Sequence, residues 1–307
     1  MSTPSNILSE SSVESRGMAV AMTAARLLYW SIRRELWENR AIYIAPVAVA
    51  AVFLFGFSLS ALIMLAGLHP APWLDPAQQS AVTREPYEYA GNMIIAATLI
   101  VGLFYSVDTL YGERRDRSIL FWKSLPLSDL TTVLAKASIP IVILPLLAVG
   151  LAVATQWLML LISSAALLVK GQDVGIMWAR LPIVQIWLMM LFHSFLIHGL
   201  WQSPIYGWLM LVSAWARRAP ILWATLPPLA IGFGEKAAFN TTYFGSFIWS
   251  RFTGGAEGAA IMEHPMAMGG MPGPGHFLIN PGLWISFACT AAFIAGAVRL
   301  RRYRGPV

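Results

Sequence analysis

Long apolar runs separated by short charged connectors organise the 307-residue chain. The runs lie at about 41–68, 90–110, 138–168, 181–213, 220–236 and 281–299, and each is long enough to cross a hydrocarbon layer at 1.5 Å rise per residue. Run 181–213 exceeds a simple crossing and holds Pro204, so it predicts one long kinked helix. The fifth run is short and broken by Pro227-Pro228. Ahead of the first run, residues 18–40 change period. Ala25, Leu28, Tyr29, Ile32 and Leu36 fall on one helical face, while Arg26, Arg33 and Arg40 recur every seven residues beside Trp30 and Trp37. That pattern predicts a helix lying along a membrane surface with its arginines reaching headgroups, or a cytoplasmic helix packed on a partner.

The connectors give these spans a direction. With the N-terminus inside, the inner segments carry sixteen Lys and Arg residues and the outer segments five. The expectation is a multi-pass protein of the cell membrane, a bacterial inner membrane, with both termini cytoplasmic.

Composition narrows the class. Apolar residues make up 57% and charged residues 12%, and mean hydropathy is +0.64. These values describe an all-α integral membrane protein with a single transmembrane domain over 18–307, preceded by a polar, Ser-rich segment 1–17 without a signal-peptide core and read as a disordered tail. The formal charge of +6 sits in clusters beside apolar runs, which points to orientation and lipid headgroups and away from nucleic acid. Cys289 is the single cysteine, so neither an intrachain disulfide nor a Cys-based metal site is possible.

The most informative connector is 111–136, YGERRDRSILFWKSLPLSDLTTVLAK, which mixes Glu113, Arg114, Arg115, Asp116 and Arg117 with the apolar Ile119, Leu120, Phe121 and Trp122. Glu113 and Arg117 have the spacing of an i, i+4 pair, worth a few tenths of a kcal/mol on an exposed helix. Pro126 stops that helix, and Ser128 or Asp129 can cap the next, whose axis continues into the third span. An apolar patch rimmed by charge suits a protein interface, with Phe121 and Trp122 as anchors and Glu113 as a rim charge. Of the outer connectors, 69–89 reads as an exposed Pro-rich loop. Residues 237–252 read as an interfacial or re-entrant helix on the outer face. Residues 253–280 form a Gly-, Met- and Pro-rich loop read as a mobile spacer; its Met262, His264, Met266, Met268, Met271 and His276 are soft ligands able to hold Cu(I) in the alternative reading, but lack the fixed spacing of a metal site.

On these residues the chain resembles the membrane subunit of an ABC-2 type ABC transporter. That family has six spans, an N-terminal interfacial helix, a cytoplasmic coupling helix between spans two and three, and outer-face helices before span six. Its connector motif is matched by Gly112, Glu113 and Arg114, then Ile119 and Leu120, then Pro126, Leu127 and Ser128, then Lys136. The resemblance implies export of a lipophilic, peptide or drug-like substrate. It implies an ATPase subunit in trans that touches Glu113, Arg114, Arg115, Asp116, Arg117, Phe121, Trp122, Pro126, Ser128 and Asp129, and a second permease subunit as homo- or heterodimer. No GxxxxGK[ST] occurs, so ATP and Mg²⁺ belong to the partner and this chain carries neither cofactor nor catalytic residues. A sensor or regulatory complex without bulk transport is the alternative.

Polar residues within the runs are the remaining candidates. Asp108, near the inner end of span two, is read either as a structural salt bridge or cap with Arg114 or Arg115, or as a gating group. His193, His198 and Gln202 on span four serve either interhelical hydrogen bonding or a substrate pathway.

Overall fold

The structure, a computed structural model, describes residues 25–66, 76–124, 128–254 and 279–304. Among the described residues every regular element is helical. Five stretches are long and apolar enough to cross a membrane: Ala41–Ile63, Arg84–Arg115, Asp129–Val169, Met177–Trp201 and Pro281–Tyr303. The large apolar side chains on their outer surfaces, Val52 and Phe55 at 73% and 71% exposure among them, have no place in contact with water and form a lipid-facing shell.

Helix α1 (25–38) lays Ile32 and Leu36 against Ile42, Tyr105 and Ile139 while Trp30 and Trp37 stay exposed on either side of Arg33, whose guanidinium lies 5.1 and 5.3 Å from their rings. Asn39 ends it, and α2 (Ala41–Leu65) follows at once. Helix α3 (Pro76–Arg115) overturns the expected 69–89 loop from residue 76 onward. Pro76 is tolerated in a first turn, and an i, i+4 pair between Arg84 and Glu88 supports the polar turns that precede the apolar run. Residues 67–75 lie outside the described residues.

Past α3, the short α4 (Ser118–Ser124) leads to α5 (Asp129–Ser138), whose N-terminus is capped by the Ser128 hydroxyl accepting from Thr131 N at 3.0 Å. Helix α5 runs without a break into a π-helical segment (Ile139–Ile143) and α6 (Leu144–Val169). Pro140 and Pro145 lack the N–H that an unbroken α-register needs, and the wider π turn absorbs them. After α7 (Val174–Arg180), the long fourth run forms α8 (Ile183–Phe192), a second π segment (His193–Trp201) and α9 (Ser203–Trp215), with the bend at Gln202 beside Pro204.

Helix α10 (Pro220–Phe239) starts after Ala219 in the left-handed region at φ 48°. It is not among the five apolar stretches, since Pro227, Pro228, Glu235 and Lys236 dilute its run. Its Glu235 carboxylate accepts from Tyr243 N at 2.6 Å and Phe244 N at 2.8 Å, so one helix caps the first turn of the next, α11 (Tyr243–Thr253). Helix α11 folds back onto the bundle, where Trp201 Nε1 donates to Ser250 O and Gln202 Nε2 to Phe252 O, each at 3.0 Å. The chain closes with α12 (Pro281–Tyr303), packed along α9.

Small residues let the helices approach. Ala148 and Ala152, both fully buried and one turn apart, sit in a cluster with Ala50, Ile94, Ile186 and Met190. Gln156, also fully buried, is satisfied on both sides: Nε2 donates to Tyr87 O at 2.8 Å and Oε1 accepts from Trp187 Nε1 at 2.7 Å. Inside an apolar bundle such a pairing fixes the rotation of three helices against one another.

Candidate functional site

The chemistry-bearing side chains concentrate at one end of the bundle, where α1, α3, α5 and α12 meet. Glu35 comes from α1 and Lys136 from α5, and Lys136 Nζ lies 2.8 Å from Glu35 Oε1 with both side chains almost wholly buried. Lys136 also lies 3.1 Å from Glu113 Oε1 and donates to Thr109 Oγ1 at 3.0 Å. The other Glu113 oxygen pairs with Arg301 of α12, whose Nε donates to Asp129 Oδ1 at 3.1 Å. Tyr105 donates to Glu35 Oε2 at 2.9 Å, and Arg34 lies 2.8 Å from Glu35 and 3.8 Å from Glu113. Arg34 also lies 3.5 Å from the half-exposed Glu38, so three cations face four carboxylates in a network joining four helices. Burying such charges is tolerable only because each is paired.

Electrostatics at Glu35 follow from this packing. Burial alone would raise its pKa, but Lys136 and Arg34 together outweigh that and hold the carboxyl below its ordinary value. Glu38, one turn on and less enclosed, is shifted the other way by burial.

The structure separates the connector residues into two groups. Glu113 is turned inward at 9% exposure and is a node of the buried network, which corrects its reading as a rim charge. The expected Glu113–Arg117 pair does not form: α3 ends at Arg115, and Arg117 turns the chain in the left-handed region at φ 58°. The helix is therefore stopped there, ahead of Pro126, which lies outside the described residues. Arg114 is buried and donates to Ser213 O at 2.9 Å and to Ala216 O, closing the end of α9. Asp129 is held by Arg301, and Ser128 is the α5 cap. Trp122 is half-buried beneath Arg34, whose guanidinium lies 3.6 Å from the ring centroid. Facing outward are Arg115 and Asp116, paired at 3.0 Å, together with Leu120 and Phe121 at 58% and 60% exposure. Ile119, at 1%, pins α4 to the bundle beneath them.

Of the polar span residues, Asp108 lies on the exposed surface of α3, 4.0 Å from Arg115. His193 and His198 are brought side by side, ring centroids 5.0 Å apart, by the second π segment. In an α-register residues five apart diverge by about 140°. The wider π turn realigns them, and local π geometry of this kind recurs at functional sites. Both Nδ1 atoms are buried without a hydrogen-bond partner. Gln202, on the same face as His198 as its spacing predicts, hydrogen-bonds His198 and also donates to Phe252 O, which ties this group to the end of α11.

An apolar crevice of about 390 Å³ opens between α9, α10 and α12 near the ionic end, walled by Trp208, Trp215, Trp223 and Leu300. Among the described residues no three His, Cys, Asp or Glu side chains cluster as a metal site would require. The Met and His residues of the 253–280 loop lie outside the described residues.

Sequence reasoning missed Glu35 and Arg301 as partners. Glu35 had a signal, because it falls on the helical face of Leu28, Ile32 and Leu36. Arg301 had none, since its neighbours Arg299 and Arg302 look alike in sequence. Comparison with known proteins identifies no relative: no family model, no curated protein and no solved structure matches the chain.

Proposed function

We propose that this chain is the membrane-spanning subunit of an ABC-2 type transporter, driven by a separate ATPase subunit that docks on α4. The observation that carries the reading is the division of labour within 113–129. Leu120 and Phe121 project outward between charged neighbours, while Glu113 and Asp129 on either side are tied through Lys136 and Arg301 to α1, α5 and α12. An apolar pair rimmed by charge is suited to a partner surface, and the buried ion pairs would carry a displacement of α4 into the helices behind it. In this reading α10 is a sixth crossing, α11 re-enters from the outer face, and both termini are cytoplasmic. A second copy or a similar subunit completes the pathway, and ATP and Mg²⁺ are held by the partner.

The aromatic crevice beside Trp215 and Trp223 suits a lipophilic cargo, which supports export of lipids, peptides or drug-like compounds. Co-purification with the candidate ATPase subunit tests the proposal. Phe121→Ala with Leu120→Ala lowers association by about 2 kcal/mol, roughly thirtyfold, and abolishes cargo-stimulated ATP hydrolysis. A double variant that assembles and hydrolyses like the parent sinks the permease reading. ATP hydrolysis that depends on assembly but moves no cargo would instead assign a sensor or regulatory complex.

A further inference from the structure

Arg251, in the last turn of α11, is a buried cation with no carboxylate paired to it among the described residues. Its side chain is 6% exposed, its Nη1 donates to Gly282 O at 3.3 Å and to the Ser286 hydroxyl, and its buried Nε has no partner. The guanidinium is stacked between two rings, 4.5 Å from the Trp201 centroid and 4.7 Å from that of Phe247. Among the described residues, the two other arginines with so little exposure have different solutions. Arg301 holds two carboxylates, and Arg114 closes the carbonyl end of α9. Arg251 receives neutral oxygens and ring faces, with the Cys289 thiol of α12 also within electrostatic reach, and among the described residues no carboxylate neutralises it.

Two facts narrow what completes the site. A guanidinium cannot shed its proton, and its planar fork matches an oxyanion bidentately, so the missing component is a carboxylate or phosphate. The surroundings are aromatic and open to the bundle surface. Phe247 stacks on Arg251 with one face and is itself 51% exposed, and Trp249, Trp284 and Ile285 are exposed on the adjoining turns of α11 and α12. Aromatic side chains grouped this way mark the headgroup level of a membrane. We infer that Arg251 is an oxyanion-binding site at the end of the bundle opposite the ionic network, taking the phosphate or carboxylate headgroup of an amphiphile whose tail lies along Phe247 and Trp284. The inference does not depend on the permease reading, because it concerns binding at a site remote from α4.

The test uses the purified full chain, stripped of lipid in a neutral detergent and titrated with dioctanoyl phosphatidylglycerol, dioctanoyl phosphatidylcholine or inorganic phosphate, with native mass spectrometry and Trp fluorescence as readouts. Phosphatidylglycerol binds the parent at least tenfold more tightly than phosphatidylcholine, and Arg251→Gln removes that preference. Phe247→Leu, which keeps the buried charge but deletes one stacking face, weakens phosphatidylglycerol several-fold and guards against a misfolded Arg251→Gln. Inorganic phosphate that competes at equal affinity supports the oxyanion site and makes its ligand soluble; weaker competition supports it and makes the ligand a lipid. Equal uptake of both lipids by parent and Arg251→Gln overturns the inference. So does a Glu257→Gln, Glu263→Gln variant whose melting falls as far as that of Arg251→Gln, because the chain would then supply its own counter-ion.

Discussion

Gly199 presses its backbone against the carbonyl oxygen of Ile141: a Cβ at position 199 would stand 2.6 Å from that oxygen. Both residues lie in π-helical segments, so the two widened turns cross where a glycine allows contact between main chains. Gly199→Ala therefore lowers stability by about 1–3 kcal/mol, the range expected for an overpacked interior, because backbone cannot rotate away as a side chain can. Gly56→Ala and Gly150→Ala, where nothing lies within 4 Å of the added atom, are the controls and melt within a few degrees of the parent. Thermal melting in detergent followed by fluorescence distinguishes them.

The buried network predicts a graded response to charge removal. Lys136→Met leaves Glu35 and Glu113 with Arg34 as the one cation between them and costs roughly 3–5 kcal/mol, as expected when one member of a buried ion pair is deleted. Glu113→Gln with Arg301→Met costs less than the sum of the two single changes, since the Glu113–Arg301 contact that each single change breaks is lost only once in the double. Glu113→Lys places a fourth cation among Arg34, Lys136 and Arg301 and prevents stable folding. Monodisperse yield from size-exclusion chromatography reports all three.

Acid weakens the same region. The Glu35 carboxyl has a folded pKa below its unfolded value of about 4.3, so its contribution is fully present above that value and is lost as pH falls through the folded pKa. Melting temperature is accordingly level in this respect from pH 7 to about pH 5 and declines below it. Glu35→Gln, already lacking the charge, shows a shallower acid slope.

Phe121 and Trp122 are neighbours with different predicted phenotypes. Phe121→Ala leaves the melting temperature of the isolated chain nearly unchanged, as for an exposed side chain, and on the proposed docking at α4 weakens association alone. Trp122→Ala removes the ring beneath Arg34 and destabilises the isolated chain by about 1–2 kcal/mol, which lowers its melting temperature. Equal behaviour of the two in both assays contradicts the placement of Trp122 beneath Arg34.

The apolar runs were readable in the sequence because a membrane-crossing helix advertises itself by uninterrupted hydropathy. The polar start of α3 was not, since Pro76, Pro86 and the residues between them carry loop composition, and only continuity with the apolar run beyond makes them helical. The connector was legible as a special segment, but its inner and outer faces were not. Whether Glu113 points to solvent or to Arg301 depends on a helix that begins at Pro281, far beyond any local window. Trp122 and Arg34 have the same history. The prolines at 140 and 145 and the bend at Gln202 beside Pro204 left traces in the sequence, whereas the pairing of His193 with His198 arises from a register that spacing rules for α-helices hide.

The ionic network also carries an order in time. Glu113 and Asp129 leave the ribosome 188 and 172 residues ahead of Arg301, about 10–40 s at ordinary elongation rates. During that interval Glu113 and Asp129 lack the Arg301 guanidinium that joins them. Arrival of α12 supplies it. A chain without α12 keeps the preceding apolar stretches yet leaves Glu113 and Asp129 without the cation that joins them, a chemical difference between chains that have received α12 and chains that have not.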